Sequence, residues 1–404
     1  MQRNDRKRDS PPTPAVALWC CKKSNNNQQL IASIGVHMSL SRRSFVKGAA
    51  GTVAAASLPT LQGCAAQDSG PFQHGVASGD PLWDRVILWT RITPESHRDP
   101  NQSPANSASY SWRVALDPGM QVIIAEGSGT TTTARDLTVK IDVTGLASDT
   151  TYYYQFRHGG SLSDIGRTKT LPLGSVDHLR IAFTSCSWYT VGYFNVYKAI
   201  AERQDLDVVL HLGDYIYEYG ARLANPLLPD RQHKPNREIV SLSDYRTRHA
   251  QYKTDPDLRE AHRQHPFITV WDDHESANDS WSGGAENHDP NVEGSWPARR
   301  GAAIQAYFEW MPIRETGLDN NSDQLVYRNF RFGDLLNLTM LDTRLTGRDE
   351  QADILDRATI NDPNRSLLGQ TQETWLYEQL SDAQTQGVTW KLLCPPVLME
   401  RLIR

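Results

Sequence analysis

The feature that most limits what this chain can fold into is a change of hydrophobic pattern at Gly174 and Ser175. Before these residues, short runs rich in β-branched and aromatic side chains are separated by glycine, proline and aspartate, at intervals typical of a β-sandwich. The runs cover residues 86–90, 110–116, 122–125, 137–143 and 151–156. After these residues, apolar strand patterns alternate with helical spacing, which indicates an α/β sheet. The sequence therefore predicts two domains of different fold class.

A run of aromatic residues gives the first domain a more specific character. Residues 146–154 read L-A-S-D-T-T-Y-Y-Y, which resembles the strand-entry corner of a fibronectin type III domain, where one tyrosine faces the core. This pattern indicates packing and assigns no chemistry. We expect a fibronectin-like β-sandwich over residues 70–173.

The second domain places polar side chains at the ends of its strands. Three apolar runs, residues 179–184, 207–212 and 267–270, are predicted to be buried strands, and each is followed by ionisable or sulfur-containing residues. Because the carboxyl ends of parallel strands meet at one edge of an α/β sheet, a ligand site is expected there. Helices are predicted at residues 193–203 and 299–310, and a further strand at 335–341.

The ends of the first two strands carry candidate metal ligands. Asp214 follows Gly213, and a carboxylate on a glycine turn at a strand end can bridge two cations. Tyr217 reaches the same space if the chain turns into a helix, and its phenolate suits a hard trivalent metal. Cys186 is by default a packed apolar side chain. Its place beside Asp214 and Asp273, at the ends of neighbouring strands, favours a thiolate ligand instead.

The third strand runs directly into four ionisable residues, Asp272, Asp273, His274 and Glu275. Such a cluster is commonly a solvated acidic turn. Here it follows the apolar residues 268–271, so its carboxylates begin where a buried strand surfaces, and unpaired carboxylates are costly there. A bound cation removes that cost. His274 either ligates a metal or donates to a substrate oxygen, and Asn278 is a weaker candidate.

Five ordered blocks of the sequence resemble one known family, the PhoD-like alkaline phosphatases and phosphodiesterases. The first block, residues 72–91, contains F-Q-H-G-V-A-S-G-D-P and V-I-L-W-T-R. The later blocks are residues 185–187, 211–219, 271–275 and 341–344. The resemblance covers about residues 41–393. It implies a fibronectin III-like β-sandwich followed by a calcineurin-like metallophosphatase α/β sandwich at residues 178–404.

This resemblance also implies an activity and its cofactors. The expected activity is hydrolysis of phosphate monoesters, diesters or both at a dinuclear site of iron and calcium, or of other divalent cations. The site residues that it implies are the iron ligands Cys186 and Tyr217, the bridging Asp214, the metal ligand Asp273, and His274 close to the phosphate. Charge stabilisation by the metals would supply most of the lowering of the reaction barrier.

An arginine is expected to complete the phosphate site, because the planar guanidinium matches phosphate geometry. The candidates are Arg246, Arg248 and Arg300, and each is equally well explained as an ordinary structural charge. Arg246 and Asn278 are therefore only weak substrate-binding candidates. The expected binding partner is a phosphate-ester substrate.

The sequence departs from the resembling family near its end. The family has a further Gly-Asp-x-His strand end that supplies the remaining metal ligands, and these 404 residues do not contain it. Cys394, Pro395 and Pro396 stand where a glutamine-rich continuation is expected. We therefore expect an incomplete metallophosphatase domain that lacks its C-terminal part, and under-coordinated cations within it.

The amino-terminal residues predict export. Residues 1–37 are polar, predicted to be disordered, and read as an upstream extension before Met38. Residues 41–47 read S-R-R-S-F-V-K before a mildly apolar stretch, which predicts a twin-arginine export signal over residues 38–66 and passage through the twin-arginine translocase. Residues 61–64 resemble a lipobox with Cys64 as lipid acceptor, and cleavage near Ala66 is the alternative. Both predict an extracytoplasmic protein.

Composition excludes several other classes. A formal net charge of −5 gives no basic field for binding nucleic acid. Five cysteines are too few for a disulfide scaffold, and no run of about eighteen apolar residues predicts a membrane span. The leading hypothesis is an exported metal-dependent phosphoesterase. The alternative is a catalytically inactive exported lipoprotein that acts as a binding or scaffold protein.

Overall fold

The structure is a computed structural model that describes residues 70–94, 105–220, 228–315, 325–353 and 355–397. The predicted disordered segment, the predicted export signal and Cys64 lie outside the described residues.

One layer of the amino-terminal domain is an antiparallel sheet with the strand order β4-β3-β6-β7, in which β8 also pairs with β6. Its strands are β3 (Ser107–Ala115), β4 (Ile123–Thr132), β6 (Thr151–His158), β7 (Ser161–Leu162) and β8 (Gly166–Lys169). Alternate residues of β6 are buried, as expected for a strand with one face on the core. Tyr152 lies in that core, and its phenol oxygen accepts a hydrogen bond from the amide of Ala147 at 2.8 Å. Tyr154 of the same strand lies in this core as well, so two tyrosines face the core where the sequence predicts one.

The second layer belongs to a six-stranded sheet with the order β5-β2-β1-β11-β10-β9. Its strands are β1 (Val76–Gly79), β2 (Arg85–Arg91), β5 (Thr138–Thr144), β9 (Ile181–Thr184), β10 (Val208–Leu212) and β11 (Pro266–Val270). Strand β1 pairs antiparallel with β2 and parallel with β11. Gly79 allows this pairing, since a Cβ atom there would lie 2.6 Å from the carbonyl oxygen of Phe267. The two domains therefore share one sheet, which the sequence does not predict.

A three-stranded sheet completes the second domain. It contains β12 (Arg328–Phe332), β13 (Leu336–Met340) and β14 (Trp390–Cys394) in the order β12-β13-β14. Val209 and Phe267 of the six-stranded sheet lie in the same apolar core as Phe330, Leu338 and Met340 of this sheet. The β-sandwich followed by an α/β sandwich that the sequence predicts is confirmed.

Seven α-helices are found within the described ranges. They are α1 (Asn195–Ala201), α2 (Leu242–Tyr252), α3 (Pro256–Gln264), α4 (Pro290–Glu293), α5 (Trp296–Trp310), α6 (Arg357–Ile360) and α7 (Gly369–Thr385). Helix α2 begins with a capping box between Ser241 and Asp244, and α3 begins with the N-cap Asp255 followed by Pro256. In these ranges we find no helix with the length and apolar character to cross a bilayer.

A strand forms within residues 179–184 as predicted, but the prediction that this strand is buried is wrong. Strand β9 forms there, but its residues are half-buried or exposed, and the side chain of Phe183 is 39% exposed. The reason is its position, because β9 is the last strand of the six-stranded sheet and pairs only with β10 within the described residues.

A buried ion pair joins the end of β1 to the second domain. Arg328 donates from Nη2 to Oδ1 of Asp80 at 2.9 Å, and it also donates to the carbonyl oxygen of Thr269 in β11 at 2.7 Å. The backbone amide of Arg314 donates to Oδ2 of Asp80 at 2.7 Å. Asp80 and Arg328 are both buried. This pair therefore links β1, β11 and β12.

We expect Asp80→Ala to lower the free energy of unfolding by about 3–5 kcal/mol, because it leaves the guanidinium of Arg328 buried without its carboxylate. The matched control is Glu126→Ala, which removes the carboxylate of an exposed pair with Arg113 and should cost less than about 1 kcal/mol. Urea unfolding followed by tryptophan fluorescence measures both. Equal small effects for the two variants would contradict the role given to Asp80.

Candidate functional site

Backbone hydrogen bonds join the carboxyl ends of three neighbouring strands. After β9, the amide of Cys186 donates to the carbonyl oxygen of Gly213 at 3.2 Å. The amide of Ser187 donates to the carbonyl oxygen of Asp214 at 2.8 Å. Strand β11, which precedes Asp273, is the other neighbour of β10. The predicted convergence of these strand ends at one edge of the sheet is therefore present.

Gly213 allows the ends of β10 and β11 to approach closely. Its φ is +94°, and an added Cβ atom would lie 2.5 Å from both the backbone nitrogen and the Cβ atom of Asp272. Cys186 and Asp214 also have positive φ values, of 58° and 56°. Side chains other than glycine adopt this region at a cost of about 1 kcal/mol or more, and such strain concentrates at functional sites.

The carboxylate of Glu275 holds the strained turn in place. It accepts hydrogen bonds from the backbone amides of Asp214 at 3.0 Å, Tyr215 at 2.6 Å and Asp272 at 2.9 Å. Burial and the nearby carboxylate of Asp214 raise the pKa of Glu275, and the amide donors oppose that shift. The sequence marks Glu275 only as a member of an acidic cluster, because its bonds to backbone amides have no sequence signature.

The predicted metal ligands form one cluster around Asp214. Ligand atoms of Asp214, Asp273 and His274 all lie within 4.8 Å of one another. The Sγ atom of Cys186 lies 3.4 Å from Oδ2 of Asp214, and the hydroxyl of Tyr217 donates to the same oxygen at 3.1 Å. Tyr217 reaches this oxygen although residues 213–220 form no helix, so the helical turn proposed for it is wrong.

The other oxygen of Asp214 is left without a partner. Oδ1 is buried and has no hydrogen-bond partner among the residues that the structure describes. Burial raises the pKa of Asp214 well above its usual value; Asp272 and Asp273 add to that rise, and His274 opposes it. A buried carboxylate oxygen that accepts no hydrogen bond fits a site for a cation.

Positive charge reaches the cluster from His274 and Arg344. Burial disfavours the charged imidazole, but Glu218, Asp214 and Asp273 together hold the pKa of His274 well above its usual value. Burial also disfavours ionised Asp273, but Arg344 and His274 lower its pKa. A bound cation would take over part of this charge compensation, since metal binding displaces protons from its ligands.

The sequence analysis misses two residues around His274: Glu218, which contacts it directly, and Trp188, which packs on Tyr217 beside it. The Nδ1 atom of His274 lies 2.7 Å from Oε2 of the buried Glu218. Its ring lies against Tyr217, with 4.3 Å between centroids, and Tyr217 stacks on Trp188 at 4.7 Å. Glu218 is four residues after Asp214 and Trp188 is two after Cys186, so closeness to the predicted ligands is the signal that could have found them.

The arginine beside the cluster is Arg344, which was not among the predicted candidates. Its Nε lies 2.5 Å from Oδ1 of Asp272, its Nη2 3.4 Å from Oδ1 of Asp273, and its Nη1 3.6 Å from Oδ1 of Asp279. It ends residues 341–344, a block on which the family resemblance depends. That block is the sequence feature that could have identified Arg344 as a site residue.

The proposed arginines and Asn278 have other contacts. Arg246 donates to the carboxylate of Glu309 at 2.7 Å and to the carbonyl oxygen of Ala134, so it joins α2 to α5 and to the amino-terminal domain. Arg248 donates to backbone carbonyl oxygens, including that of Tyr219 at 2.9 Å. Arg248 also donates to the backbone carbonyl oxygen of Tyr217, so it supports the main chain of one cluster residue, but none of these partners is a ligand atom of the cluster. Arg300 lies buried on α5.

Asn278 lies next to the cluster through its backbone. Its amide donates to Oε1 of Glu218 at 2.7 Å, and its side-chain nitrogen donates to Glu286. Its proximity to His274 therefore comes through Glu218, while its role in substrate binding stays a prediction.

We expect Gly213→Ala to lower the free energy of unfolding by about 2–5 kcal/mol, because the added Cβ meets the backbone of Asp272 and the φ is unfavourable for alanine. Gly301→Ala on α5 is the control, since a Cβ there meets no atom within 4 Å and should stabilise the helix by up to about 1 kcal/mol. Urea unfolding of both variants provides the measurement. A Gly213→Ala protein as stable as the unmodified chain would contradict the close approach of the two strand ends.

Comparison with known proteins identifies the family. A family model described as PhoD-like phosphatase matches residues 181–404, and a model of the PhoD-like phosphatase N-terminal domain matches residues 56–172. Alkaline phosphatase D of Bacillus subtilis (strain 168) is 37% identical over 375 residues, which cover 89% of this chain and 63% of that protein. A solved structure described as PhoD matches with a TM-score of 0.71 and 39% identity, over 80% of this chain and 62% of the other. The chain thus spans less than two thirds of either relative, and it belongs to the PhoD-like phosphatase family.

Proposed function

We propose that this chain holds a dinuclear metal centre of a phosphoric ester hydrolase that acts on phosphate monoesters, diesters or both. The observation that carries the proposal is the buried Oδ1 atom of Asp214, which has no hydrogen-bond partner among the described residues and belongs to a group with Asp273 and His274. A buried carboxylate without a partner is costly, and a cation removes that cost. The name of the Bacillus subtilis relative supports the reaction class.

The two oxygens of Asp214 have different surroundings, which supports a bridging role. Oδ2 is close to the thiol of Cys186 and the phenol of Tyr217, so these three residues would hold one cation. Oδ1 would face a second cation, together with Asp273. Sulfur and phenolate ligands suit iron, and carboxylates suit calcium, so we propose these two metals. When bound, they would offset the charge on the phosphoryl oxygens and stabilise the transition state.

The residues of this chain would position the substrate around that centre. His274 is held by Glu218 and packed against Tyr217, so its ring is fixed beside the carboxylates where the phosphate would bind. Arg344 lies at the same edge and compensates the charge of Asp272 and Asp273. With these groups already ordered, little side-chain rearrangement is needed when the substrate binds.

We expect Asp214→Asn to abolish metal-dependent hydrolysis of a chromogenic phosphodiester, a loss of at least about 100-fold, because one of its oxygens becomes an uncharged amide nitrogen that cannot bind a metal. The matched control is Asp382→Asn on the exposed face of α7, which should leave hydrolysis unchanged. Both variants are assayed as the full chain, with monoester and diester substrates.

Metal content gives the same experiment a second readout. Elemental analysis of Cys186→Ala should show less bound iron than the unmodified protein, because a thiolate ligand is removed. Retained hydrolysis in Asp214→Asn would refute the bridging role. An unchanged iron content in Cys186→Ala would show that Cys186 is a packed side chain and not a metal ligand.

We also propose that the protein acts outside the cytoplasm after passage through the twin-arginine translocase. The support is the S-R-R-S-F-V-K sequence at residues 41–47, with Cys64 as a candidate for lipidation. Replacing both Arg42 and Arg43 by lysine should retain the protein in the cytoplasmic fraction, whereas the unmodified chain should reach the periplasm or the membrane. Equal distribution of the two proteins between fractions would contradict export by this route.

A further inference from the structure

A lysine side chain is buried near the end of β10. Lys253 directly follows α2 and is 2% exposed. Among the described residues, its Nζ atom donates to the phenol oxygen of Tyr215 at 3.1 Å, and it forms no ion pair with a carboxylate. The carboxylate two residues further on, Asp255, is bound by Arg231 at 2.7 Å. A charged amine at this place would be buried without a counter-ion in the described part of the chain, which is costly.

Three buried histidines lie close to this lysine. His249 is one turn earlier on α2, His262 lies on α3, and His211 lies in β10. Each has a ring nitrogen without a hydrogen-bond partner among the described residues, and in His249 this holds for both nitrogens. Nε2 of His262 lies 2.9 Å from the phenol oxygen that Lys253 also contacts. We call Lys253 and these three histidines the basic layer.

The aromatic rings that face Lys253 are uncharged. Its Nζ atom lies 4.7 Å from the ring centre of Trp89 in β2 and 5.1 Å from that of Tyr215. These rings and the carboxyl end of α2 favour a positive charge on the amine, but only weakly. Burial acts in the opposite direction with a larger effect, and it lowers the pKa of Lys253 from 10.5 to about 7.

Positive and neutral groups also face the histidines. Arg248 disfavours the protonated form of His249, and the phenol ring of Tyr307 on α5 meets His249 edge-on at 6.3 Å. Burial, with a smaller contribution from Lys253, lowers the pKa of both His211 and His249 to about 3. The same two causes, together with His211, hold the pKa of His262 well below its usual value.

We propose that the basic layer is an acid-sensitive element of the core, in which Lys253 is uncharged in the folded chain and protonation of the layer favours unfolding. A neutral amine fits the observed contact, because the phenol of Tyr215 can donate to it or accept from it. Tyr215 directly follows Asp214, so a loss of order in the layer would reach the candidate site. The proposal goes beyond the proposed hydrolase activity and requires no bound metal.

The proton counts of the folded and unfolded chains set the direction of the pH dependence. Between about pH 7 and pH 10.5, Lys253 is charged only in the unfolded chain, so its burial costs little at the upper end of this range and most near pH 7. Below pH 6.5, His211 and His249 take up protons in the unfolded chain alone, which adds a second loss of stability. Acid therefore destabilises this part of the core in two steps.

The test is urea unfolding of the full chain and of Lys253→Met at pH 7, 8 and 9. Methionine keeps the length of an unbranched side chain and takes up no proton. The unfolding constant of the unmodified chain, divided by that of Lys253→Met, should rise by about tenfold from pH 9 to pH 8, and further at pH 7. Lys198→Met, at an exposed position of α1, is the control, and its ratio should not change with pH. The metal-ligand residues are identical in all three proteins, so their titration cancels in these ratios.

NMR of the chain labelled with carbon-13 at lysine Cε gives a reading that does not depend on the variant. One lysine signal should titrate near pH 7 in the folded chain, behave like the other lysines in urea, and be missing from Lys253→Met. A ratio for Lys253→Met that stays the same at all three pH values would overturn the proposal. If that variant does not fold, the NMR titration decides, and a folded chain in which no lysine titrates below about pH 9 would overturn the proposal as well.

Discussion

The candidate site depends on the three hydrogen bonds that the carboxylate of Glu275 accepts from the backbone. Two of them come from residues after β10 and one from Asp272, two residues after the end of β11, so a single side chain fixes the distance between these strand ends. Asp214 is held there in a left-handed backbone conformation, with a φ of 56°. The side chain of Asp214 therefore points into the cluster because Glu275 holds its main chain, and Gly213 provides the space.

Charge decides what this arrangement can bind. Asp214 and Asp273 are both buried and belong to one group of potential ligands, so their mutual repulsion must be offset. His274 and Arg344 supply positive charge, but each is also held by another carboxylate, Glu218 for the histidine and Asp272 for the arginine. The positive groups are thus already engaged, and Oδ1 of Asp214 has no hydrogen-bond partner among the residues that the structure describes. The metal centre proposed above would supply the positive charge that this oxygen lacks.

Local sequence patterns predict the central strands of the second domain and the cluster of polar residues at their ends. Apolar runs that end in polar residues locate β10, β11 and the cluster around Asp214, because strand ends in an α/β sheet share one edge. Contacts between distant residues have no such pattern. The sequence did not reveal the parallel pairing of β1 with β11, the pair of Glu218 with His274, or the place of Arg344. An edge position has no local pattern either, so the apolar run at β9 predicts a buried strand where the structure has a partly exposed one.

The shared sheet makes the amino-terminal domain part of the support for the site. Strand β11 precedes Asp273 and His274, and its other neighbour in the sheet is β1. Arg328 reinforces this junction, because the same guanidinium binds Asp80 at the end of β1 and the carbonyl oxygen of Thr269 in β11. A shift of β1 would therefore move the strand that presents two of the potential metal ligands. The metal centre proposed above requires each ligand to keep its position to within about 0.2 Å. The β-sandwich therefore helps to keep the geometry of the cluster, because its strand β1 pairs with the strand that precedes the ligands.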